Sequence, residues 1–119
     1  MKVAISAVGE TLDSAVDPRF GRAAQFVLVD TDTGEHQLIS NAQNLHAAQG
    51  AGIQAAQTVS SHGAEYVMTG HCGPKAFKAL SAAGIKVISG VEGTVGDAVD
   101  KLKNGEVKPS DGADVEGHW

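Results

Sequence analysis

Residues 65–89 restrict the fold more than any other stretch of the chain. Glu65–Thr69 (EYVMT) and Ile85–Ser89 (IKVIS) are apolar runs of strand length. Between them, Pro74 suits the first turn of a helix that carries Phe77 and Leu80 and ends near Gly84. A strand, a helix and a strand in that order close as a right-handed crossover between two parallel strands. Parallel strands are covered on both faces, so the remaining sequence must supply more strands beside this pair and helices on either side.

The remaining sequence does supply them. Lys2–Val8 (KVAISAV) reads as a buried strand that ends at Gly9, and Phe26–Val29 (FVLV) as a second strand inside the sheet. Asp32-Thr33-Gly34-Glu35 is turn chemistry, so His36–Ser40 returns antiparallel as an edge strand. Ile53, Ala56 and Val59 predict a helix that ends near Gly63. Thr94 with Asp97 three residues on resembles a capping box, opening a last helix that bears Val95, Val99 and Leu102 and stops at Gly105. The expected fold is a three-layer α/β domain in the order β-β-β-α-β-α-β-α, with a mixed five-stranded sheet and helices on both faces. Residues 1–106 form this domain. Residues 107–119 hold Asp111, Asp114 and Glu116 against Lys108 and are expected to be a mobile acidic tail.

Composition removes several classes of function. The formal net charge is −5, which does not suit a nucleic-acid binder that needs a basic face. Cys72 is the one cysteine, so there is no intramolecular disulfide and no paired-cysteine metal knuckle. No apolar run reaches the roughly 18–20 residues of a membrane span, and the start lacks a signal-peptide pattern. A cytoplasmic chain with no membrane partner is the expectation. Gly50-Ala51-Gly52-Ile53-Gln54-Ala55 matches a dinucleotide-binding pattern, but no strand precedes it. The first strand carries no carboxylate between Val3 and Val8, as a two-metal nuclease would need.

Two loops hold the candidate chemistry. Gly70-His71-Cys72-Gly73-Pro74 follows a strand and opens a helix, the place where α/β sheets bind ligands. Its glycines permit close backbone approach, and the helix start favours an anion. Cys72 is a soft ligand or nucleophile there, with Lys75 and Lys78 following on one helix face. The same loop also reads as a tight turn with a buried, inert cysteine. In the Asp17–Arg22 loop, Arg19 and Arg22 suit an anion and Gly21 a close approach. The competing reading has Phe20 plugging the core while the arginines pair with Asp17 and Asp13. His71 and Cys72 offer nitrogen and sulfur to a soft metal, with His46 the best third ligand, which is an incomplete set.

Taken together, four segments are similar to a known family. They are Asp17-Pro18-Arg19-Phe20-Gly21-Arg22-Ala23 with Phe26-Val27-Leu28-Val29; Asn41 with Gly50–Gly52; Gly70-His71-Cys72-Gly73-Pro74-Lys75-Ala76; and Ala83-Gly84-Ile85-Lys86-Val87. In this order, up to about Gly105, the chain resembles the dinitrogenase iron–molybdenum cofactor-binding family, which includes NifX-like proteins and the C-terminal part of NifB-like proteins. The resemblance implies a ribonuclease H-like fold without nuclease activity, and a binding protein rather than an enzyme. It implies noncovalent binding, carriage or assembly of an anionic molybdenum-containing metal–sulfur cluster. In NifX-like members this is an iron–molybdenum cofactor precursor. In orange-protein-like members, which a small chain with an acidic tail resembles most, it is a molybdenum–copper sulfide. Protein partners in cofactor delivery or regulation are implied as well. Carried over by position, the cluster region is Arg19, Phe20, Gly21 and Arg22; His46, Gly50 and Gly52; and Gly70, His71, Cys72, Gly73 and Lys75. Within it, His71 and Cys72 are the candidates to touch metal directly, and hydrogen bonding with electrostatics is the other way to hold the cluster. Two further readings stand beside this one. One is a metal-free regulatory module whose glycine-rich edge docks a protein. The other is a Cys72-dependent enzyme acting on a small anion.

Overall fold

The sheet order is β3-β2-β1-β4-β5, with β1 (Lys2–Ala7) at the centre. The computed structural model describes residues 1–41 and 50–109. The other strands are β2 (Gln25–Asp30), β3 (His36–Ser40), β4 (Tyr66–Met68) and β5 (Lys86–Ile88). β2 runs against both of its neighbours, whereas β1, β4 and β5 pair in parallel. It follows that β1, β3, β4 and β5 all point the same way. Their carboxyl ends share one edge of the sheet.

Alternation along β1 sorts the core into two layers. Val3, Ile5 and Ala7 face one side with Val27, Val29, Met68 and Ile88, and α3 (Val95–Lys103) covers them through Val95, Ala98 and Val99. Ala4 faces the other side with Phe26, Leu28, Ile39 and Val67. There α1 (Ala51–Ser61) and α2 (Pro74–Ala82) bring Ala55, Ala56, Val59, Ala76 and Leu80. Alanines on both helices let backbone approach the sheet, and the few large side chains fill what remains. Each fully buried Val, Ile or Phe contributes about 1.5–3 kcal/mol. The mixed five-stranded sheet with helices on both faces is therefore as expected, and the capping box of α3 is formed. Thr94 Oγ1 accepts from the Asp97 N–H at 3.1 Å while an Asp97 carboxylate oxygen accepts from the Thr94 N–H at 3.3 Å. Among the described residues no helix is long and apolar enough to cross a membrane. The candidate His46 and residues 110–119 of the expected tail lie outside the described residues.

Candidate functional site

The long connection after β1 is tied down rather than loose. The Ala15–Thr94 bridge and the Val16 N–H to Gly93 carbonyl bond (2.9 Å) pin it to the start of α3. Next, the Asp17 N–H donates to the Ser6 carbonyl, and the Ser6 hydroxyl donates back to the Asp17 carbonyl, both at 2.8 Å. The Thr69 hydroxyl stands 2.8 Å from the Ser6 hydroxyl. Ser6 and Thr69 are fully buried at the ends of adjacent parallel strands. Their pairing satisfies two hydroxyls that would otherwise be costly to bury, and it fixes where the arginine loop begins.

From there the loop runs alongside the segment after β4. Arg19 and His71 form a bridge, and the Phe20 N–H donates to the His71 carbonyl at 3.2 Å. A Cβ on Gly70 would come within 2.6 Å of the Pro18 Cα, so only glycine permits this approach. A Cβ on Gly21 would come within 2.9 Å of the Gly52 nitrogen. The loop thus touches both of the other predicted segments, the 70–74 turn and the start of α1. Asn41, fully buried just after β3, holds it in place. Its side-chain amide donates to the carbonyls of Ala23 (2.8 Å) and Gly21 (3.4 Å).

The electrostatics of this edge favour an anion. The first turns of α1 and α2 both open here. Their N-cap residues, Gly50 and Gly73, supply no side-chain acceptor, and neither first turn holds an acidic residue. α3 differs, with its start closed by Thr94 and Asp97. A helix start left this way presents backbone N–H groups and the positive end of the helix dipole. Arg19 and Lys75 are exposed beside these starts, and Arg22 is half-buried. Asp17 is the buried acid of the loop, with Oδ1 accepting from the Arg19 N–H at 2.9 Å.

Two of the candidate side chains turn away from this edge. Phe20 is fully buried with its ring 5.2 Å from that of Phe26, which matches the core-plug reading of that residue. Cys72 is 1% exposed and packs in the α1–α2 layer, with Sγ 3.8 Å from the Gly73 carbonyl oxygen. Their backbones belong to the edge and their side chains to the core. Among the described residues no three of His, Cys, Asp and Glu gather to hold a metal ion. The arrangement offers dipoles, cations and backbone more than a ligand cage. Ser6, Thr69 and Asn41 are the residues that position it without having been singled out as site residues. The one available signal for Ser6 and Thr69 was a polar side chain near the end of each of two apolar runs.

A family model described as dinitrogenase iron-molybdenum cofactor matches residues 1–105. Among solved structures, the apo form of the orange protein from Desulfovibrio gigas is 45% identical, covers 96% of each chain and superposes with a TM-score of 0.94. A putative NifB protein from Thermotoga is 37% identical over 91% of each chain, with a TM-score of 0.79. An uncharacterized protein of Methanocaldococcus jannaschii is 22% identical over 91% of this chain and 94% of its own.

Proposed function

The chain belongs to the dinitrogenase iron–molybdenum cofactor family, and from that premise we propose that it binds an anionic metal–sulfur cluster as cargo. The observation that carries this reading is the convergence of the Arg19–Arg22 loop, the Gly50–Gly52 helix start and the 70–75 turn at one sheet edge. A thiometallate cluster is large, soft and negatively charged. It is held by many modest interactions: N–H groups at helix starts, delocalised guanidinium charge and close backbone. Gly21 and Gly70 keep that backbone close, and Arg19, Arg22 and Lys75 supply positive charge around it. No acid, base or nucleophile is required, so the protein holds and passes on its cargo rather than converting it. The buried Cys72 thiol supports packing over nucleophilic chemistry, since a reactive thiolate must be reached by its substrate.

Molybdenum–copper sulfide is the cargo to try first, because the likeness to the orange protein exceeds that to the putative NifB protein. An iron–molybdenum cofactor precursor is the other. A cytoplasmic location and a protein that receives the cluster complete the proposal. The test is reconstitution of the metal-free protein with tetrathiomolybdate plus Cu(I) and, in a parallel arm, plus iron. Gel filtration, visible absorption and metal analysis follow. Protein-bound colour with molybdenum in one arm is the expected result, and it should be weakened by Arg19→Ala or Arg22→Ala more than by Lys101→Ala on α3. Colourless, metal-free protein in both arms rejects the proposal.

A further inference from the structure

Asp17 is out of place by charge. It is 6% exposed at an edge that otherwise favours anions. Its Oδ1 caps the Arg19 N–H at 2.9 Å, a turn contact that an asparagine side chain would make as well. The turn therefore does not require the negative charge. What the charge does reach is the Arg19 side chain, whose Nε lies 4.0 Å from the same oxygen. That distance is an ion pair without a hydrogen bond, and the Arg19 side chain is 48% exposed.

The two partners differ in freedom. Asp17 is clamped to β1 through its own N–H and carbonyl, both bonded to Ser6 at 2.8 Å. Its backbone is held at these two points and its Oδ1 by the Arg19 N–H. Arg19 can turn its guanidinium outward without breaking a hydrogen bond to Asp17. We propose that Asp17 is an internal competitor of the cargo: its carboxylate holds Arg19 in the unloaded protein and sets how much negative charge a ligand must bring to draw that arginine away. Asp17 is thus an affinity-setting residue that acts through Arg19, and this inference rests on the cluster-binding reading above.

The experiment is an absorbance titration with tetrathiomolybdate, a dianion, on the unaltered protein, Asp17→Asn, Arg19→Gln and the double variant. Asp17→Asn is expected to bind about three- to tenfold more tightly, the scale of a partly exposed ion pair plus residual repulsion. In the Arg19→Gln background the same change is expected to gain less than about twofold. A purely structural role would leave binding unchanged or weaken it. Weaker or equal binding by Asp17→Asn with unaltered thermal unfolding overturns the inference, as does a full gain that persists without Arg19. Should Asp17→Asn fail to fold, ¹⁵N NMR of the unaltered protein decides. The Arg19 Nε resonance is expected to move on saturation with tetrathiomolybdate, and an unmoved resonance in a saturated sample overturns the inference. Absence of tetrathiomolybdate binding by an unaltered protein that does reconstitute with copper or iron also overturns the inference, whereas failure of both reconstitution arms is a different failure that removes the cluster-binding reading itself.

Discussion

Gly21 lies directly against the backbone of Gly52, joining the arginine loop to the first turn of α1. The gap is too small for a methyl group, since a Cβ on Gly21 would meet the Gly52 nitrogen at 2.9 Å and its Cα at 3.0 Å. Both neighbours are backbone, so neither can rotate away. Gly21→Ala is expected to cost about 1–3 kcal/mol, the usual penalty of overpacking. It should also weaken thiometallate retention by pushing the loop from the helix start. Chemical denaturation and the reconstitution assay measure the two effects, and an unchanged pair would place the cargo elsewhere.

The cysteine can be tested separately. Its thiol packs among Ala76, Leu80 and their neighbours in the α1–α2 layer. Cys72→Ala therefore loses packing, about 1 kcal/mol by the loss of a small buried group, and is expected to keep its colour on reconstitution. Lost colour in a variant with an intact fold would make the thiolate a direct ligand.

The elements themselves were legible because hydrophobic periodicity is local. Val3, Ile5 and Ala7 alternate with Ala4 and Ser6, and Val95, Val99 and Leu102 recur at helical spacing, so strand and helix can be read from neighbours alone. The Thr94–Asp97 box was legible for the same reason. The site was legible only as a set of loops. Nothing periodic says that Phe20 points inward while Arg19 points out, because side-chain direction in an irregular segment is set by what clamps its ends. Here the clamp is Ser6 on Asp17, and Asn41 on Gly21 and Ala23, contacts between residues 11 to 20 positions apart. Cys72 illustrates the same limit. Its place after a strand and before a helix left both a reactive and a buried thiol open, and it is the turn that directs it into the helix layer.

Lys75 stands exposed in the first turn of α2, where no acidic residue balances the helix dipole. Lys75→Glu should therefore do two opposite things. The helix gains about 0.3–1 kcal/mol from a carboxylate at its start, and thiometallate binding falls by roughly tenfold as a positive charge becomes a negative one. Thermal unfolding and titration on the same sample would show them together. Stability and binding that fall in step would mean that Lys75 serves the fold alone.

At the opposite edge, Asp30 makes stability depend on acid. The Asp32 N–H, at 2.9 Å, is the main cause that holds its carboxyl below the ordinary value, with burial opposing and the Thr33 N–H assisting. A depressed carboxyl stabilises the fold at pH values above the unfolded value of 3.8. That contribution fades as pH falls through the lower folded value. Asp30→Asn should therefore be less stable than the unaltered protein at neutral pH, with the difference closing below about pH 3.8. A difference independent of pH in acid denaturation curves would refute this.

The reversed direction of β2 has a consequence for how such a protein can be joined to others. With four strands pointing one way, Met1 and the stretch that follows α3 both come to the edge away from the arginine loop. The Met1 carbonyl accepts from Thr31 beyond the far end of β2, and Pro109 lies near Lys86 at the start of β5. A second domain fused ahead of Lys2 or behind Pro109 would attach at the base of the molecule. Such a fusion leaves the proposed cluster-binding edge, at the other ends of the strands, uncovered.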